Sequence, residues 1–290
     1  MRLAAHDPRR RTAAVIVWHR RHPHPPPRRS GETGGVTPLL HLLPLSELRA
    51  HRTAPVAEPG PEGFVHCSPD VATTVAVANT LYRDTDEQLV AVELDPDLLP
   101  SPVRWEAPSP APPLGVGPAT AFPHVYGPVP RTAITGVRYA RRAVDGTFLD
   151  LERRGPTAEE FDLLPHPEGG WYRRTWTSGT PVDTAGGARP SATAIHFLLP
   201  PGEVSAWHVV ASDEVWFWHR GSALTLSFGG AGRRPGSDPE QAVLGAGPGQ
   251  RPQLVVPGGT WQRAESAAEG EALVSCVVSP GFDFADFAAL

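Results

Sequence analysis

Lysine is missing altogether: the 26 lysine-plus-arginine positions are all arginine, and 35 prolines accompany them. That bias reads as a coding preference and carries no functional meaning. Cysteine is almost missing too. Cys67 and Cys276 stand alone, one in each half of the chain, which excludes a disulfide framework and fits a reducing cytoplasm. No apolar run approaches bilayer-spanning length and no signal-peptide core precedes a cleavage site, so no membrane partner is expected. Nor is there excess positive charge. The formal net charge is −5, and eight arginines fall before Gly35 against only Asp7 and Glu32. The remainder is acidic, which argues against a nucleic-acid-binding core.

The length suits two modest domains. Residues 1–36 form a leader rich in Arg, His and Pro, and its HPHPPPRRS run excludes a helix or a sheet interior. It reads as a disordered tail, or as an extension foreign to the natural protein. Residues 37–142 read as an α+β domain. Leu39–Leu42, Gly63–Ser68, Leu89–Leu94, Val103–Glu106 and Ile134–Tyr139 have strand composition. Leu45–Ala50 reads as a short helix with Ser46 as a cap. Val71–Tyr82 carries Val71, Val75, Ala78 and Leu81 on one helical stripe. The charged stretch 143–156, with Asp145-Gly146 and Gly155-Pro156, reads as a linker. Thr157-Ala158-Glu159-Glu160 has the form of a capping box opening the second domain, 157–290. There, short strands separated by Gly/Pro turns predict an all-β jelly-roll barrel.

The richest stretch is Gly202–Gly221, GEVSAWHVVASDEVWFWHRG, echoed by GQRPQLVVPGGTWQ at Gly249–Gln262. Strand side chains alternate faces, so His208 and Val210 share one face, and Glu214, Trp216 and Trp218 share another. If the two inner faces meet, an imidazole and a carboxylate converge in a pocket walled by the two indoles. Burial there would raise the Glu214 pKa and let it work with His208 as general acid and base, without a metal. Gln262, Glu168 and Arg173 complete the expected ligand set, Arg173 as a clamp for an anionic group.

These residues resemble the two cupin motifs. Gly202, His208, Glu214 and Gly221 match the first at the right spacing, and Pro257 and Gly259 match the second. Val210 replaces the usual second histidine, and Gln262 the last one. PHPEGGWYRRTW, SDEVWFWHRG and PGFDFADF narrow the resemblance to a branch of small cupins of unassigned function. A cupin metal normally has three imidazoles and a carboxylate. Here any metal would have only His208, Glu214 and Gln262, a set fit for weak binding of a divalent ion; no metal or other cofactor is expected. The resemblance further implies a homodimer paired through the outer sheet, and some metal-free cupins are sugar-nucleotide epimerases or isomerases.

In the first domain GFVHCS, ELDPDLL, VRWE and FPHVYGPVP together resemble a small bacterial family of unassigned function, similar in fold to the ADP-ribosyltransferases. The helix that usually opens with a Gln-containing turn opens here with Pro69-Asp70-Val71-Ala72. The motifs hold His66, Ser68, Arg104, Glu106, His124 and Tyr126. By resemblance, His66 and Ser68 would line a nicotinamide-nucleotide cleft, and Glu106 would stabilise an oxocarbenium-like centre. The alternative is that these residues satisfy loop carbonyls and one another. Fold analogy alone is a weak warrant, so nicotinamide-nucleotide chemistry is not expected. The expected function is binding, with or without turnover, of a small polar metabolite in the barrel. A transferase in the first domain and a scaffold with vestigial pockets are the other readings.

Overall fold

The protein is described by a computed structural model over residues 37–50, 53–109 and 111–290; the leader, 1–36, lies outside the described residues. The chain divides into two compact units between Arg153 and Arg154. It is mostly β. No described helix is long and apolar enough to cross a membrane.

The first unit has two antiparallel sheets. One orders its strands as Leu39–Pro44, Leu89–Leu94, Ile134–Arg142 and Phe148–Glu152. The other orders Val65–His66, Phe122–Val125 and Val103–Glu106. Leu89–Leu94 is buried along its whole length, as its continuous apolar run requires. The helix Val71–Leu81 packs Val71, Val75 and Ala78 against Leu40, Leu89, Ala140 and Phe148. Leu81, expected on that stripe, is exposed instead. Asp70 caps this helix by accepting from the Thr73 N–H at 2.7 Å, so the unusual Pro-Asp opening supplies its own start signal. Ser46 does not cap its helix; its hydroxyl donates to Glu87.

The stretch 143–156 is not a linker throughout. Ala143–Thr147 is a tight turn, and Phe148–Glu152 returns along Tyr139–Arg142. Asn79 ties the Phe148 backbone to the helix through both its amide oxygen and nitrogen. Arg141 pairs with Glu152 across the hairpin. The Asp145-Gly146 signal marks a hairpin turn, and Phe148 and Leu151 bury the strand that follows it.

The second unit is a jelly roll. One sheet orders its strands Gln253–Val256, Asp213–Gly221, Ala272–Ser279, Thr193–Leu199, Trp171–Thr177 and Leu164–Pro165. The other orders Glu240–Leu244, Leu224–Phe228, Gln262–Ser266, His208–Val210 and Phe287–Ala289. Between them lie Phe197, Leu199, Trp216, Leu224, Leu226 and Val274, all buried. Each such side chain contributes about 1.5–3 kcal/mol by leaving water. The helix Pro156–Glu160 starts at Gly155 with Pro156 in its first turn. Thr157 is therefore inside the helix and not its cap, and its hydroxyl donates to Glu271.

Candidate functional site

The barrel site is set by two strands and one turn. His208 begins the strand His208–Val210, and Glu214 stands six residues further on, at the start of Asp213–Gly221. Both are buried and line one cavity of about 240 Å³. Glu168 joins them from the turn Pro167–Gly170. The Ala206 N–H holds the Glu168 carbonyl at 2.6 Å, and the Gly170 N–H donates to Glu203 at 2.7 Å. Gly170 has φ +67°, and a Cβ there would lie 2.6 Å from the Leu198 carbonyl oxygen, so the turn requires glycine.

Glu168 Oε2 lies 2.8 Å from His208 Nδ1, and both side chains are buried. The Nδ1 hydrogen, however, aligns with the Ala206 carbonyl at 3.0 Å, leaving Glu168 Oε2 without an aligned donor. The pair is thus chiefly coulombic. Burial alone would depress the His208 pKa, but the Glu168 carboxylate overrides it and lifts it to about 9. For Glu168, burial pushes upward, and the His208 and His166 imidazoles more than offset it, so its pKa falls below the usual carboxylate value. With Nδ1 engaged, Nε2 is the His208 nitrogen left for a ligand. Burial raises the Glu214 pKa; Glu168 adds to the rise, while His208 opposes it. The acid form of Glu214 therefore persists to higher pH than in an exposed glutamate.

Gln262 fixes Glu214. Its amide nitrogen donates to Glu214 Oε2 at 2.5 Å, and its oxygen accepts from Trp216 Nε1 at 3.1 Å. An indole N–H only donates, so the amide oxygen must face Trp216 and the NH2 must face Glu214. This bears on the metal that the cupin resemblance implies. Val210 offers no donor atom, and Gln262 turns its oxygen to an indole, leaving His208 and Glu214. Those two do not fit a tight metal centre, and among the described residues no cluster of three or more His, Cys, Asp or Glu could hold one.

Several expected residues stand elsewhere. Neither Trp216 nor Trp218 lines the cavity. Trp216 is in the barrel core, and Trp218 packs against that core with its N–H on the Ser222 carbonyl at 3.0 Å. The face was right but the depth was not: both indoles lie farther along the strand than the cavity extends. Gln262 serves Glu214 and Trp216 and not the cavity. Arg173 points away, bonded to the Phe161 carbonyl at 3.3 Å, and Arg174 lines the cavity. Alternation from Tyr172, which lines it too, selects Arg174 over Arg173. His166, two residues before Glu168, was also missed; it lies 3.6 Å from Glu168 Oε1. Phe282, Phe284 and Phe287 of the PGFDFADF motif also line the cavity.

In the first unit, His66 and Ser68 line a cavity of about 350 Å³ together with His41 and Glu62. Glu106, His124, Tyr126 and Arg104 do not line it; they form a cluster alongside. His124 Nδ1 lies 2.7 Å from Glu106, and the Tyr126 hydroxyl donates to Glu106 at 3.0 Å. The Arg104 guanidinium sits 4.3 Å from the Tyr126 ring centroid. Phe64 stacks on His124 at 4.0 Å and meets His66 edge-on at 4.9 Å, linking cluster to cavity. Burial and then the neighbouring His124 hold the His66 pKa below its ordinary value. The Glu106 carboxylate is spent on His124 and Tyr126, which favours the structural reading over an oxocarbenium-stabilising one.

Comparison with known proteins agrees with this division. Residues 156–290 match the cupin superfamily family DUF985, and residues 44–137 match DUF952, a family of unknown function. No curated protein matches the chain. Among solved structures, a hypothetical protein from Leishmania major is 34% identical over 46% of this chain and 84% of its own, with a TM-score of 0.43. A protein from Shewanella oneidensis is 37% identical over 46% of this chain and 82% of its own, with a TM-score of 0.42. A cupin-like protein from Thermotoga maritima is 12% identical over 42% and 76%, with a TM-score of 0.29.

Proposed function

We propose that in this chain, which belongs to the cupin superfamily through its DUF985 domain at residues 156–290 and to DUF952 through residues 44–137, the barrel binds a small molecule and moves a proton on it without a metal. The observation that carries this reading is the juxtaposition, in one cavity, of the His208–Glu168 pair at 2.8 Å with a second buried carboxyl group, Glu214. Environments that push neighbouring titratable groups in different directions divide acid from base. His208 is an imidazolium up to about pH 9 and presents Nε2–H to the cavity, where it stabilises negative charge developing on the ligand. Glu214, steadied by Gln262, is the group that takes a proton from the ligand as carboxylate and returns it as acid. Glu168 positions and charges His208. The chemistry is that of an isomerase or epimerase.

The test uses whatever molecule co-purifies with the full chain, identified by native mass spectrometry. That molecule is incubated in D2O with the protein, and exchange of its carbon-bound hydrogen is followed by NMR. Glu214→Gln keeps the shape and removes the acid. It should cut exchange by at least 100-fold while leaving affinity within about tenfold. Equal exchange by both proteins would sink the acid/base assignment.

A further inference from the structure

The C-terminal segment forms a strap along one wall of the cavity. Phe287–Ala289 pairs with His208–Val210, the Phe282 N–H donates to Thr193 Oγ1 at 3.0 Å, and Arg189 grips Asp286 with two bonds of 2.7 and 3.2 Å. Three fixed phenyl rings result. Phe282 meets Phe284 edge-on at 5.0 Å and Phe287 at 5.8 Å, and Phe287 lies nearly parallel to His208 at 5.7 Å. Phe284 is 45% exposed although it borders the cavity. Apolar surface left in water costs about 25 cal/mol per Å², so a flat apolar ligand laid on these rings gains what the free protein forgoes. A rigid strap also lowers the ordering cost of binding.

Arg174 adds a cation beside these rings. It lines the same cavity, with its guanidinium 5.9 Å from the Phe282 centroid and no carboxylate partner among the described residues. The other cation of the cavity, His208, is already balanced by Glu168. Arg174 is therefore the cation left for a ligand, and a guanidinium held over an aromatic ring matches a planar carboxylate through its paired donors. Building on the barrel as a ligand site, the geometry points to a small planar monoanion, an aromatic or conjugated carboxylate, with its ring on Phe282 and Phe284 and its carboxylate on Arg174. A sugar would meet phenyl rings where its hydroxyls need partners.

Isothermal titration of the full chain with four probes tests this: benzoate, benzyl alcohol, acetate and glucose. Benzoate should bind at least tenfold tighter than the other three. Arg174→Gln, at an exposed position, should weaken benzoate about tenfold and leave benzyl alcohol unchanged, and Phe284→Ala should weaken both. Glucose or acetate binding as tightly as benzoate would overturn the ligand class but leave the proton-transfer reading standing. Benzoate affinity unchanged by Arg174→Gln would overturn the class as well. Failure of all four probes, with no molecule co-purifying, would overturn both.

Discussion

Trp216 Nε1 donates to Gln262 Oε1 at 3.1 Å, deep in the barrel, and this bond decides the chemistry of a residue on the far side of the amide. Because the oxygen is taken, the NH2 must face Glu214. A glutamine at the position of a cupin histidine is thus a hydrogen-bond donor to the carboxylate, and it makes Glu214 an acid/base group held in place.

Metal analysis checks that account. Protein purified without added metal should hold well under one equivalent, and chelator should leave its melting temperature unchanged. Gln262→His should raise affinity for a divalent ion, since it exchanges a neutral amide for an imidazole beside His208 and Glu214. Stoichiometric metal whose removal lowers the melting temperature would overturn the metal-free reading.

The His208–Glu168 pair sets a pH dependence with a definite sign. The folded pKa of His208 is raised from 6.5 to about 9. Its stabilisation is therefore complete below pH 6.5 and is lost as pH rises through about 9. Glu168→Gln should flatten this alkaline loss and cost about 3 kcal/mol near neutral pH, because it leaves a buried imidazole without its counter-charge. NMR titration of the His208 ring, with urea unfolding at several pH values, measures both. A His208 midpoint that stays near 9 in the variant would refute the pairing.

How much of this was legible in the sequence depends on the range of the physics involved. Alternation along short strands brings His208 and Glu214 to a common interior, and spacing alone carries that. It also favours Arg174 over Arg173, given that Tyr172 faces inward, but only the fold shows that Tyr172 does. Depth along a strand is not encoded in alternation, so Trp216 and Trp218 share Glu214's face yet fall outside its cavity. The Glu168 contact is longer in range still. It depends on a Gly-Gly turn that meets the Leu198 backbone, a close approach with no local signal except the glycines themselves. The cluster around Glu106 shows the same limit, since its members come from neighbouring strands whose register the sequence does not print.

The boundary between units gives a further test. Phe148 and Leu151 are 3% and 2% exposed, and both belong to the core of the first unit. A fragment spanning 37–142 removes that strand and uncovers Ala140 and the helix, whereas 37–153 keeps them. The longer fragment should melt cooperatively, and the shorter one should be less stable by more than about 3 kcal/mol, the scale of losing two buried apolar side chains. Equal melting temperatures would return 143–153 to the status of a linker.

Assembly is the last expectation. The strand Gln253–Val256 ends the six-stranded sheet, pairs on one side only with Asp213–Gly221, and leaves Val255 49% exposed. Its two neighbours in sequence are buried, so Val255 faces outward from the barrel. Open apolar edges invite pairing, and native proteins blunt them with charge, proline or a partner. Pro252 and Pro257 close the two ends of this strand, but between them Gln253 to Val256 carries no charge. A second copy of the chain is the partner we expect there, through the outer sheet. Light scattering of the full chain should give twice its 31.0 kDa mass. Val255→Lys puts a charge on the edge without touching the core, and should yield a monomer with little change in melting temperature. A wild-type monomer at high concentration would refute the dimer, and a dimer undisturbed by Val255→Lys would move it to another face.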